Sequence, residues 1–203
     1  MHFVRSVFHL FYTHLASLYE PVLKLALRGR WIHWQLSLKE YLPDKRRILE
    51  IGCGTGSLVA ELGKCDLKIM GTDQSHKMIR IAARNIKDIQ KPLALIVAQA
   101  QALPFKNGSL DTILSMFPSE YIRCRKTWRE IKRLLAPEGI FVCLIWVKMR
   151  PGTLHSVVQR IIYGTNHAEL ESLLHLAAGQ SLNARIEKMA DREGNVMFVL
   201  LSE

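Results

Sequence analysis

The segment Ile48-Leu49-Glu50-Ile51-Gly52-Cys53-Gly54-Thr55-Gly56 restricts what this chain can fold into more than any other. An apolar run that breaks into three glycines on alternate positions reads as a buried parallel strand ending in a turn whose backbone comes very close to a ligand. Ser57 to Leu62 continues as a helix, so the glycines stand where a strand hands over to a helix N-terminus in an α/β unit. An ordinary strand-loop-helix turn does not require three spaced glycines, each of which adds conformational entropy that folding must remove.

With 203 residues, 49% of them hydrophobic, the chain is long enough for one domain with a sizeable core. Twenty-eight Lys and Arg against 18 Asp and Glu give a formal charge of +10. That balance favours anionic company, whether phospholipid headgroups, nucleic acid or an acidic small molecule, and does not choose among them. Cys53, Cys65, Cys124 and Cys143 have no CxxC spacing and read as free thiols in a reducing compartment, so a cytoplasmic location is expected. The apolar run after Arg5 is too short to span a bilayer, and no small-residue cleavage site precedes His14; neither export nor a membrane span is expected.

Residues 3 to about 38 place Phe3, Val7, Leu10, Phe11, Leu15, Leu18, Val22, Leu25, Trp31 and Trp34 at helical spacing. Pro21 and Arg28-Gly29-Arg30 divide this stretch into two or three helices. Their apolar face either caps the domain or enters a lipid interface. Strands then follow at about 46–51, 67–73, 93–97, 112–117 and 140–146, alternating with helices, which points to a parallel sheet covered on both faces. Thr127 followed by Glu130 is a capping-box signature for a helix stopped by Pro137-Glu138-Gly139. Helical patches are expected at about Leu154 to Tyr163 and Ala168 to Ala178, the latter ended by Gly179. Strands at about 182–188 and 196–201 flank Arg192-Glu193-Gly194-Asn195, a hairpin turn. The expected fold is therefore a Rossmann-like, doubly wound α/β sheet of seven strands, mostly parallel, with a C-terminal antiparallel hairpin. Residues 1–42 form a helical cap on a ligand-binding domain spanning 43–203.

Asp73 lies 17 residues beyond Gly56, at the end of the second strand. A carboxylate there can accept both hydroxyls of a ribose whose nucleoside lies across the glycine turn, which suits an adenosine cofactor. The glycine pattern is Gly-x-Gly-x-Gly rather than Gly-x-Gly-x-x-Gly, and nicotinamide binders rarely end in an antiparallel hairpin. At these residues the chain resembles the class I S-adenosylmethionine (SAM)-dependent methyltransferases, of the group that includes the ubiquinone/menaquinone-biosynthesis enzymes. Glu50 to Gly56 matches the first motif of that family and Gly71-Thr72-Asp73 the second. Ala100 to Phe105 with Gly108 to Asp111, and Arg129-Glu130 through Leu134 to Gly139, resemble two further stretches. The likeness covers residues 46–146.

That resemblance implies SAM as methyl donor and S-adenosylhomocysteine as product. By analogy, Glu50, Gly52, Cys53, Gly54 and Gly56 would line the methionine side, Asp73 would hold the ribose, and Gln74 would lie against the adenine. The family usually has an acid where this chain has Gln99, beside Ala100; a glutamine carbonyl still accepts a hydrogen bond from the adenine amino group but brings no charge. Met116 and Phe117 would sit beside the sulfonium, and Tyr19 resembles a tyrosine that closes over the cofactor. Methyl transfer from a sulfonium needs alignment and exclusion of water more than covalent help. If a base takes part, Glu120 and Tyr121 after the fourth strand, or His14, Tyr19 and His33 from the cap, are the candidates. No metal is expected, since no His or carboxylate cluster has ligand spacing.

The acceptor expected is a small, hydrophobic or lipid-like molecule, roofed by the cap and the segment from Lys148 to Asn166. The run Arg123, Arg125, Lys126, Arg129, Lys132 and Arg133 is either a solvated helix face or a peripheral contact with an anionic membrane. Nucleic acid is the lesser expectation, because no exposed aromatic platform accompanies the charge. Two other functions stay open at this point: an RNA-modifying or RNA-binding protein, and a binding module of the same fold without catalysis.

Overall fold

The computed structural model describes residues 30–42, 47–65, 67–89, 93–148 and 167–203. The expectations for the helices before Arg30, for His14 and Tyr19, and for the patch from Leu154 to Tyr163 lie outside these residues.

Seven strands form one sheet: β1 (Ile48–Ile51), β2 (Ile69–Asp73), β3 (Ala94–Val97), β4 (Leu110–Met116), β5 (Leu135–Lys148), β6 (Ala184–Ala190) and β7 (Val196–Ser202). Their order is β3-β2-β1-β4-β5-β7-β6. Pairing is parallel from β3 to β5, and β7 runs antiparallel to both β5 and β6. The helices are α1 (Arg30–Ser37), α2 (Ser57–Lys64), α3 (His76–Ile86), α4 (Arg125–Leu134) and α5 (His167–Ala178), with 3-10 turns at Leu38–Tyr41 and Glu120–Arg123.

All four residues of β1 are buried, because helices cover both faces of the central strands. Consecutive strand residues feed opposite cores, as the pleat requires. Ile48, Val142 and Leu201 join Trp34, Leu58, Val59 and Leu62 under α1 and α2. Leu49, Cys143 and Leu200 join Trp128, Ile131, Leu134, Leu173 and Ala177 under α4 and α5. In the second core the Trp128 indole meets Phe141 edge to face, 5.5 Å between ring centres. Its Nε1 donates to the Ile122 carbonyl at 2.7 Å, which fixes the Glu120–Arg123 turn against α4.

Ile51 pairs with both Thr72 and Ser115, so β1, β2 and β4 finish level. The chain leaves β1 toward β2 on one side and returns to β4 on the other, and this reversal at the carboxyl ends of the strands is where open α/β sheets bind ligands.

Several expectations shift. The capping box does not form: α4 starts three residues earlier, with Cys124 rather than Thr127 as its N-cap, directly after the Glu120–Arg123 turn. Thr127 is consequently inside the helix, its hydroxyl buried without a protein partner. Glu130 accepts instead from the Leu103 N–H at 2.9 Å and from Arg133 at 2.7 Å. Strand β5 begins at Leu135 rather than Ile140, with Pro137-Glu138-Gly139 carried as an irregularity between the pairs Leu110/Leu135 and Thr112/Ile140. Strand β6 starts at Ala184, because Leu182 turns into the core, where it is 3% exposed.

The basic run is not uniform. Arg125, Lys126, Arg129 and Lys132 are exposed on α4. Arg133 instead donates to the carbonyls of Phe105 (2.7 Å) and Leu103 (3.0 Å) and to Asn107 Oδ1 (2.8 Å), so it pins the Leu103-Pro104-Phe105 segment to the helix.

The N-terminal helix and the C-terminal hairpin meet. Trp34 Nε1 donates to Asp191 Oδ2 at 2.9 Å. Asp191 also accepts from the N–H groups of Glu193 and Asn195, both at 2.9 Å, and so shapes the hairpin turn. Tyr41 donates to Glu187 on β6 at 2.7 Å, and Ser37 Oγ lies 3.4 Å from Met197 Sδ on β7.

Candidate cofactor site at the carboxyl ends of β1, β2 and β4

Gly52, Gly54 and Gly56 have φ of +74°, +54° and +73°, a left-handed conformation that side chains rarely adopt. Close approach adds a second demand at two of them. A Cβ on Gly52 would stand 2.6 Å from the Tyr121 hydroxyl, and one on Gly56 2.7 Å from Ala82 Cβ. A Cβ on Gly54 would meet no protein atom within 4 Å, so the middle of the turn presents bare backbone to the open side. Gly56→Ala is expected to lower stability by about 2 kcal/mol, since both the dihedral and the α3 backbone at Ala82 resist it; chemical denaturation measures the loss.

The turn is held by bonds within the protein. The N–H groups of Gly52 and Cys53 both donate to the Thr72 carbonyl, at 2.8 and 2.9 Å, and Asn85 Nδ2 donates to the Thr55 carbonyl at 2.9 Å. Asp73, 3% exposed, accepts from the Gly54 N–H at 3.0 Å through Oδ2 and from the Ser75 N–H at 2.8 Å through Oδ1. Asp73 therefore fastens the glycine turn to the start of α3, a role the sequence alone does not reveal. Sequence reasoning also missed the part that Thr72, quoted only within a motif, plays in holding the turn, and missed Asn85 and Ser115. The available signal was a polar residue inside an otherwise apolar strand, as at Ser115.

Glu50 is wholly buried on β1, and its Oε2 has no protein partner. Burial, and secondarily the Asp73 charge, push its carboxyl up to about 8, so it carries a proton at neutral pH. Burial likewise raises the Cys53 thiol well above its ordinary value, with the two carboxyls adding to the effect, which makes it an inert wall rather than a nucleophile. An acid that is buried without a partner beside a turn of left-handed glycines suits a ligand with a cationic ammonium.

The structure gathers Glu50, Gly52, Cys53, Gly54, Gly56, Asp73 and Gln74 around one edge, with Gln74 exposed beside Asp73. Met116, 6% exposed, ends β4 at the same edge. Phe117 follows it with φ +46°, its N–H held by the Leu144 carbonyl at 2.7 Å. Gln99 is exposed past β3, in a backbone bridge with Ala102, and Ala100 next to it is buried. Of the candidate bases, Glu120 is exposed and pairs with Arg123 at 3.3 Å, and His33 is exposed on α1. Tyr121 is committed elsewhere: its hydroxyl donates to the Ile51 carbonyl at 3.0 Å and lies 2.7 Å from Ser115 Oγ. Among the described residues no three His, Cys, Asp or Glu side chains are grouped to hold a metal ion, and no helix is long and apolar enough to cross a membrane.

A doubly wound sheet of this strand order, with an acid at the end of β2 and a Gly-x-Gly-x-Gly turn after β1, defines the class I SAM-dependent methyltransferase fold. Residues 49–143, just under half of the chain, match the family profile described as "Methyltransferase domain", and that segment is similar to the SAM-dependent methyltransferases. It is 28% identical over 141 residues to a demethylmenaquinone methyltransferase of Symbiobacterium thermophilum, covering 64% of this chain and 55% of that protein. The chain spans about half the length of the curated relatives it matches. Among solved structures, a SAM-dependent methyltransferase from Thermotoga maritima superposes with TM-score 0.67 at 19% identity, covering 96% of this chain and 98% of that one. A phosphoethanolamine N-methyltransferase of Haemonchus contortus in complex with SAM superposes with TM-score 0.63 at 19% identity, covering 86% and 52%.

Proposed function

We propose that this protein transfers the methyl group of SAM to a small hydrophobic or lipid-like acceptor. The observation that carries the donor half is the glycine turn itself: left-handed, held by protein hydrogen bonds, bare at Gly54, and flanked by a partnerless buried acid and Asp73. In this reading Gly52 to Gly56 offer backbone to the methionine part. Glu50 answers its ammonium from below the turn, Asp73 meets the ribose, and Gln74 and Gln99 border the adenine. The donor supplies an already activated methyl on sulfur, so the work left to the chain is to hold donor and acceptor in line and exclude water. Met116, ending β4 beside the turn, and Phe117 just after it provide an apolar wall for that purpose. Among the described candidates for a base, Tyr121 is spent on the backbone, and no residue role beyond alignment is assigned.

The acceptor half is supported by the name of the Symbiobacterium relative, which acts on a quinone precursor, and by the apolar residues of the N-terminal sequence. Incubation with SAM labelled in its methyl group, against a quinone precursor, a sterol, a phospholipid and a polar amine, tests it. Label is expected in one of the apolar acceptors; transfer only to the polar amine would overturn this half. Titration calorimetry with SAM tests the donor half independently, and no heat at millimolar cofactor would overturn it.

The exposed Arg125, Lys126, Arg129 and Lys132 on α4 support a peripheral contact with an anionic bilayer, which would bring the site to a membrane-borne acceptor. Co-sedimentation with vesicles containing phosphatidylserine is expected at low salt and should be lost as salt rises. Equal sedimentation with neutral vesicles would argue against it.

A further inference from the structure

We infer that Tyr121 is a positioning residue for the donor, acting through the backbone of the glycine turn. Two contacts converge on one peptide unit. The phenol hydroxyl donates to the Ile51 carbonyl at 3.0 Å, and the ring sits where a Gly52 side chain would be, Cε1 and Cζ each 3.2 Å from the position of its Cβ. The Ile51-Gly52 peptide is therefore gripped from behind by the same residue on its carbonyl and on its Cα.

Tyr121 is itself held. Its one hydroxyl proton goes to Ile51, so Ser115 Oγ, 2.7 Å away and fully buried in β4, must be the donor in the second bond. Burial holds the phenol well above its ordinary range, and it stays protonated and donating throughout the working pH range. The turn that carries it is anchored by Trp128 through the Ile122 carbonyl. What Tyr121 controls is the angle at which the turn leaves β1, and hence the placing of the Gly52 to Gly54 backbone that faces the donor. It is also reached by the short arch Phe117 to Ser119, whose first residue is in the left-handed region. Donor turn and post-β4 arch thus share one tether.

The inference rests on the donor assignment above, and the test separates the two. Calorimetry compares SAM binding by the wild type, Tyr121→Phe, Ser115→Ala and Tyr41→Phe. The last removes a tyrosine hydroxyl bond of similar length far from the turn, to Glu187. Tyr121→Phe and Ser115→Ala are expected to weaken SAM about tenfold, the scale of one lost hydrogen bond, with Tyr41→Phe unchanged even where its melting temperature falls. In a Gly52→Ala background, where the added methyl already displaces the hydroxyl, Tyr121→Phe should cost much less than in the wild type. Wild-type binding with unaltered affinity in Tyr121→Phe, or an equal loss in Tyr41→Phe, overturns this inference and leaves the donor assignment standing. Should Tyr121→Phe not fold, Ser115→Ala decides by the same criteria. Failure of the wild type to bind SAM overturns both.

Discussion

Replacing Asp73 with alanine is expected to weaken SAM binding at least about 100-fold and to lower folding stability by about 3 kcal/mol at the same time. The two effects have one origin. The carboxylate accepts from the N–H of Gly54 and from that of Ser75, so its removal leaves two donors of the site without their partner, at about 1–3 kcal/mol for each that is buried. The turn then loses its attachment to α3, and the ribose contact proposed for Asp73 disappears with it. Calorimetry and urea denaturation measure the two losses. A variant that unfolds more readily but binds SAM with wild-type affinity would make Asp73 a fastener of the turn and nothing more. One that binds poorly with unchanged stability would make it a ligand contact only.

The second large effect is a pH dependence. In the folded protein Glu50 holds its proton up to about pH 8, because burial and then the Asp73 charge oppose ionisation, whereas the unfolded chain releases it around 4.5. Between those values the folded state binds more protons than the unfolded one, so stability is fully present below about 4.5, falls as pH rises, and levels off above about 8. The total amounts to a few kcal/mol. Glu50→Gln keeps the shape and removes the ionisation. The variant is therefore expected to match the wild type near pH 4.5 and to melt at a higher temperature than the wild type at pH 8 to 9. Melting curves across that range, read as the difference between the two proteins, check it; a difference that does not grow with pH would refute it. Since SAM carries an ammonium that would favour the ionised acid, the same substitution should weaken SAM although it stabilises the empty protein.

Much of this was legible in the sequence for a physical reason. The Gly-x-Gly-x-Gly run after Ile48 to Ile51 is a local solution to a local demand, a left-handed backbone at the end of a buried strand, and it stands in the structure where the spacing put it. The alternation of strand and helix and the closing hairpin also follow from short-range patterning. The cap and the partners of the turn were a different matter. Thr127 and Glu130 have the capping-box spacing, yet the tertiary bond from Leu103 to Glu130 and the earlier helix start at Cys124 claim both residues. Arg133 looked like one more member of a basic face and is instead spent on three carbonyl-type acceptors. Tyr121 was a candidate base on position alone, whereas its bonds to Ile51 and Ser115 join residues 70 and 6 positions away, separations that no local pattern announces.

The clasp between α1 and the hairpin carries a consequence for the order of folding. Trp34 finds its hydrogen-bond partner 157 residues later, Ser37 its neighbour 160 residues later, and Tyr41 its acceptor 146 residues later. A chain emerging from the ribosome can close β1 on β2, and both on β4, while α1 has only its packing against α2 and lacks its bonds to the hairpin. Only when β6 and β7 have been made and paired does the hydrogen-bond partner of Trp34 exist. The contacts of α1 with the hairpin therefore form late, by a long loop closure that topology alone makes slow. During that interval the glycine turn is complete while α1 still lacks its bonds to the hairpin.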